Sequence, residues 1–333
     1  MIKMRWTASL LAALVSMALT SQAAVARGYR HYLIGDVSKP TPAPVSGGLL
    51  LMGGGDRNVD ALKWFIEKAG HGHIVILRAS QSTSIADELY KDVGGVTSAE
   101  TFVFSNRKAA YNPKMLARLK RADGIFISGG DQARYVRFWK GTPVAEALDA
   151  HVAAGKPLAG TSAGLAMQGE YLYGAMDDGS ITSAEALADP LGPANTIETD
   201  FVHFPLLKGI ITDTHFKERN RLGRLFAFVA KAETKRPKGA PAIFGLGVDE
   251  SAALAVEPNG SARIYATALD GGAWLVRGGF SETVQLGAPL ELSRVEVTGI
   301  GLSSRLHLPD GRVENPAFVR YYAVADGLWR EVP

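Results

Sequence analysis

The 333-residue sequence contains no cysteine. That excludes a thiol nucleophile, disulfide staples and thiolate metal sites, so acyl chemistry would fall to an oxygen nucleophile and stability to the apolar core. It also lacks an excess of one charge: 36 basic residues against 33 acidic ones leave a formal +3. No broad field for nucleic acid or an anionic membrane surface is implied. There is no paired-histidine helix motif, and His31, His71, His73, His151, His203 and His307 are scattered, so a metal centre is unsupported.

No apolar run reaches the roughly 20 residues of a membrane span. A shorter one, from about Ala8 to Leu19, follows Lys3 and Arg5 and precedes the small-x-small stretch Ala24-Val25-Ala26. Residues 1–26 therefore read as a secretory signal peptide, which predicts export to the periplasm or beyond with no membrane attachment after cleavage. Cleavage removes two cations and no acid, so the formal charge falls from +3 to +1.

What is present is apolar material, 47% of the chain, enough for one large domain or one domain with an appendage. Residues 27–47, with the run Lys39-Pro40-Thr41-Pro42-Ala43-Pro44, read as an extended linker. From Gly48 five short apolar runs alternate with helical patterns: Leu49–Met52, His73–Leu77, Thr101–Phe104, Gly124–Ile127 and the segment leading to Ser162. That alternation predicts an α/β domain over 48–256, a parallel sheet with helices on both faces. Beyond 257 the texture turns to β-branched and aromatic runs with turn signals, a small antiparallel β region over 257–333. Whether it completes the main sheet or stands apart is left open.

Ligands of such sheets sit at the carboxyl ends of the strands. Gly160-Thr161-Ser162-Ala163-Gly164 falls at one such end, where a strained strand-to-helix turn needs small neighbours. Ser162 is a candidate nucleophile, and the Ala163 amide at the helix start could stabilise an oxyanion. The bland reading is a helix start with Ser162 as N-cap. A base is offered by His215, which Asp213 or Thr214 would cap at the start of an amphipathic helix carrying Arg219, Arg221 and Arg224. Helical spacing puts only His215 and Arg219 on one face. Candidate orienting acids are Glu185, Asp200, Asp213, Asp249 and Glu250. Gly53-Gly54-Gly55-Asp56 lacks the spacing of a dinucleotide or phosphate loop and reads as a tight turn beside the site.

Four segments in order, Ser128-Gly129-Gly130-Asp131-Gln132, Gly160-Thr161-Ser162-Ala163-Gly164, Asp213-Thr214-His215-Phe216 with the three arginines, and Gly247-Val248-Asp249-Glu250, resemble the cyanophycinases. These belong to a serine peptidase family that also includes the aspartyl dipeptidase called peptidase E. The resemblance spans about Gly48 to Val256. It implies a flavodoxin-like fold related to class I glutamine amidotransferases, with serine where those use cysteine. It further implies Ser162 as nucleophile, His215 as general base and then acid, and Glu250 as orienting carboxylate, with Glu185 as the fallback. Gly130 and Ala163 would supply oxyanion amides, and Gln132, Asp213, Arg219, Arg221 and Arg224 would line the substrate pocket. Thr214 replaces the glutamine usual in the family. The implied substrate is a polypeptide, cyanophycin or a shorter acidic or isoaspartyl peptide, and the chemistry calls for no cofactor.

Three other readings stay open: a peptidase of the same family for short aspartyl peptides, an esterase pairing His307 with Asp249, and an exported protein that binds acidic peptides without cleaving them. The oligomeric state is open too, a homodimer included.

Overall fold

The computed structural model describes residues 28–80, 82, 84–177, 179–280 and 284–333; the expected signal peptide lies outside them. Eighteen strands form among the described residues: β1 (Tyr29–Gly35), β2 (Gly48–Met52), β3 (His73–Arg78), β4 (Ser98–Phe104), β5 (Gly124–Ile127), β6 (Pro157–Thr161), β7 (Tyr171–Tyr173), β8 (Ile197–Glu198), β9 (Ile210–Asp213), β10 (Phe244–Val248), β11 (Ala252–Val256), β12 (Ser261–Ala266), β13 (Ala273–Arg277), β14 (Leu292–Ile300), β15 (Arg305–His307), β16 (Arg312–Glu314), β17 (Phe318–Ala325) and β18 (Leu328–Val332).

They make two sheets. The first has the order β1-β4-β3-β5-β6-β2-β11-β12-β15-β16, and its middle five strands, β4 to β2, are parallel. These are the five apolar runs read from the sequence. Their side chains feed opposite faces in turn: Leu49, Leu51, Val75, Leu77, Ile125 and Ile127 enter one core, while Leu50, Met52, Ile74, Ile76 and Phe126 enter another. A strand buried on both faces loses the apolar-polar alternation and shows up as a continuous apolar run. Helix Val59–Lys68 covers one face through Ala61, Leu62, Phe65 and Ile66. Asn58 caps it, accepting from the amides of Asp60 and Ala61. Helices Pro113–Arg121, Gln132–Trp139 and Pro143–Ala153 cover the other face.

The second sheet, β18-β17-β14-β13-β10-β9-β7-β8, is antiparallel except for the parallel run β10-β9-β7. Ile210, Leu246, Val248 and Leu275 join it to the core shared with the three helices, and helix Leu222–Glu233 covers its far face.

The structure departs from the sequence reading in two places and bears on a third point that the sequence left open. Tyr29–Gly35 is not linker: it pairs antiparallel with β4 as an edge strand. Most of its side chains face solvent, so no apolar period marks it; His31 Nε2 sits 2.7 Å from Glu100 and its ring stacks on Phe102. The region after 257 is no satellite, because β12 continues from β11 in the first sheet and β13 pairs with β10 in the second. Finally, the amphipathic helix begins at Leu222, not at His215, and its N-cap position is Arg221 without a side-chain cap bond.

Candidate active site

The site forms where the two sheets meet. β3, β5, β6 and β2 are parallel neighbours, so Arg78, Ser128-Gly129-Gly130, Ser162 and Gly53-Gly54 all emerge at one edge. β9 and β10 are parallel neighbours in the second sheet, and they deliver His215 and Glu250 to the same place. A backbone hydrogen bond stitches the two together, the His215 amide donating to Gly53 O (2.8 Å); within the first sheet the Ser162 amide donates to Met52 O (3.0 Å).

Ser162 has φ 53° and ψ −121°, a left-handed strain that a non-glycine residue keeps only when its surroundings impose it. It precedes the short helix Ala163–Ala166 and makes no side-chain cap bond, so the N-cap reading fails and Oγ is left for other work. Small neighbours are obligatory. A Cβ on Gly160 would lie 2.1 Å from Gln168 Nε2, and one on Gly164 would lie 2.1 Å from Ile127 O.

Ser162 Oγ sits 2.7 Å from His215 Nε2, and His215 Nδ1 is hydrogen-bonded to Glu250 Oε1. His215 itself has φ 46°, in the turn between β9 and the following helix. Gly54, at φ 115°, lets the backbone pass under the imidazole: a Cβ there would lie 2.2 Å from Cε1. The glycine run is thus the tight turn beside the site. Burial pushes His215 below the ordinary imidazole value; the Glu250 hydrogen bond opposes that and the Arg219 charge adds to it.

The other candidate acids are occupied elsewhere. Glu185 is exposed and closes a capping box with Thr182. Asp200 accepts from Thr199. Asp249 accepts from the amides of Lys217 and Gly272 (both 3.1 Å) and from Trp274 Nε1 (2.8 Å), and burial raises its carboxyl to about 6. Asp249 thereby pins the turn that carries His215. His307 meets Glu314 at 3.1 Å, so the pairing of His307 with Asp249 that an esterase would need does not form.

The basic residues divide. Arg224 and Asp213 form a bidentate pair (Nε to Oδ2 2.7 Å, Nη2 to Oδ1 2.5 Å), each side chain 3% exposed. Arg221 lies 3.6 Å from the same carboxylate and donates to Thr214 O at 2.8 Å; burial lowers its guanidinium to about 10. Both arginines also reach Ser180 Oγ, Arg221 at 3.3 Å and Arg224 at 2.8 Å. Asp213 and Arg224, expected at the substrate pocket, form a buried pair that reaches Ser180. Arg219 is 52% exposed and lies 3.6 Å from Glu250. Gln132 opens helix Gln132–Trp139, donates to Tyr173 O (2.6 Å), and lines a cleft of about 400 Å³ together with Gly130, Arg137 and Ser180.

Two residues were missed in the sequence. Arg57 and Arg78 line a cleft of about 170 Å³ together with Ser128, Gly129 and Ser162. Arg57 directly follows the Gly53-Gly54-Gly55-Asp56 turn after β2, and Arg78 ends β3; the adjacency of β3, β5, β6 and β2 brings both to the serine. Among the described residues no group of three or more His, Asp or Glu side chains could hold a metal ion, and no helix is long and apolar enough to cross a membrane.

A strained serine bonded to an imidazole that is itself bonded to a carboxylate is the arrangement of a serine-nucleophile hydrolase. Residues 49–259 match peptidase family S51, and the chain belongs to that family. It is 33% identical over 196 residues to a cyanophycinase of Synechococcus elongatus, covering 57% of this chain and 54% of that protein. The chain thus spans about half the length of that relative. To a cyanophycinase of Trichormus variabilis it is 29% identical over 232 residues, 66% of this chain and 71% of that one. The crystal structure of a peptidase from an acI-B1 Actinobacterium aligns with a TM-score of 0.54 at 14% identity, over 79% of this chain and 98% of the other, a likeness of fold.

Proposed function

We propose that this chain is an exported serine peptidase that hydrolyses cyanophycin, a poly-aspartate bearing arginine on each β-carboxyl, to β-Asp-Arg dipeptides. The observation that carries the reading is the continuous bond path from Ser162 Oγ through the His215 ring to Glu250.

In this mechanism His215 Nε2 takes the Ser162 proton as Oγ attacks a backbone carbonyl of an aspartyl residue. The Glu250 carboxylate holds the Nδ1–H tautomer and stabilises the imidazolium that forms. The amides of Gly130 and Ala163 receive the oxyanion; the backbone at Gly129 runs so near that a Cβ there would lie 3.2 Å from Ser162 Cβ. His215 then gives its proton to the departing amine, and water, activated by the same imidazole, releases the acyl group. Gln132 and Arg219 face the substrate directly, while Asp213, Arg221 and Arg224 shape the wall that carries Ser180. The export reading rests on the leader sequence alone.

The test is to give the protein, starting at Arg27, insoluble cyanophycin and, separately, short isoaspartyl peptides, following products by mass spectrometry. Release of β-Asp-Arg is the expected result. Cleavage of short peptides alone moves the chain to the dipeptidase reading; binding without cleavage of either makes it a capture protein.

A further inference from the structure

Arg78 ends β3, and its residue is 8% exposed. Its guanidinium donates to Ser80 O (2.6 Å) and Ser80 Oγ (3.2 Å), and no carboxylate pairs with it among the described residues. Burial accordingly lowers its pKa, and the neighbouring Arg57 charge lowers it further. A buried cation without a counter-ion is costly, and a ligand carboxylate is one group that would supply the missing charge. Arg57 stands beside it, its Nε 2.6 Å from Glu88.

Both arginines line the cleft that opens on Ser162, and among the described residues no acidic one lines it. Ser128 lines the same cleft, and its buried Oγ has no hydrogen-bond partner among the described residues. The cleft therefore offers two guanidinium groups beside the nucleophile, in a space of about 170 Å³, small enough for one planar anion. Guanidinium forks match carboxylates in charge and shape.

We propose that Arg78, with Arg57 beside it, forms a carboxylate-binding subsite that holds a free carboxylate of the substrate residue next to the bond attacked by Ser162. The proposal rests on the hydrolase reading above. In a polymer of β-linked arginine, the free α-carboxylate of an arginine branch is such a group.

The experiment compares kcat/KM for a short β-Asp-Arg oligomer with that for its analogue in which the arginine carboxylates are carboxamides. The unmutated protein prefers the carboxylate form by about 10- to 100-fold, the worth of a charge-assisted hydrogen bond, and Arg78→Met brings that ratio toward 1. Arg78→Lys restores part of the preference, and Arg57→Gln reduces it less. Should Arg78→Met fail to fold, the Lys and Gln variants carry the same reading. A ratio near 1 in the unmutated protein, or one unchanged across the variants, overturns the subsite and leaves the hydrolase reading standing. Cleavage of neither oligomer nor cyanophycin by the unmutated protein overturns the hydrolase reading, and the subsite with it.

Discussion

Two groups of arginines flank the active site, one in the cleft of Ser162 and one behind the turn that carries His215, and they are built in opposite ways. Arg221 and Arg224 share a buried carboxylate, that of Asp213, and spend their remaining donors on Ser180 and Thr214. Arg78 is buried to a similar degree and, among the described residues, bonds only to Ser80. The first group is a closed structure that shapes a wall; the second is an incomplete one. Basic clustering in a sequence does not distinguish the two. The carboxylate partner does.

The largest effect expected is that of removing what both groups surround. Ser162→Ala should lower kcat by about 10⁴-fold or more while leaving the fold intact, read as turnover beside a circular-dichroism melt. Breaking the closed group comes next. Arg224→Met takes the bidentate partner away from buried Asp213, leaving it only the more distant Arg221 at 3.6 Å, and should cost about 3 kcal/mol of stability, seen in denaturant titration. The matching change in the open group, Arg78→Met, should cost less than about 1.5 kcal/mol in the same titration, because no buried carboxylate is orphaned. Equal losses from the two would erase the comparison. Arg219 belongs to neither group: it is half-exposed, so Arg219→Ala should change stability by less than about 1 kcal/mol.

The smallest effect is on pH dependence. His215 must be neutral to accept the serine proton, and burial holds its pKa below the ordinary value. The acid limb of kcat/KM should therefore fall below about pH 6.5. Glu250 raises the imidazole pKa and Arg219 lowers it. Glu250→Gln should thus move the limb to lower pH and Arg219→Ala to higher pH, and shifts of the same sign would contradict the assignment. Stability follows the same sign: because the folded state resists protonating His215, its contribution is full above about 6.5 and declines as pH falls below that.

The two sheets differ in how much of them the sequence discloses. The five parallel strands are buried on both faces, so each is a plain apolar run, and the serine turn announces itself by its small neighbours. β7 and β9 are short and carry no comparable signal, and β1 exposes most of its side chains while pairing through its backbone. The start of the arginine helix was misplaced because residues 215–220 form a tight irregular turn whose polar composition imitates a helix N-terminus. In the sequence Glu250 was one of five candidate acids, singled out only by the family resemblance; Arg57 and Arg78 were not singled out at all, and strand order is what brings Arg78 near Ser162.

The most direct test of the account is acid-quenched mass spectrometry of the protein during cyanophycin turnover, with Ser162→Ala alongside. The account predicts a transient aspartyl adduct on the peptide containing Ser162, and no adduct or dipeptide from the variant. Dipeptide release that survives Ser162→Ala would contradict it.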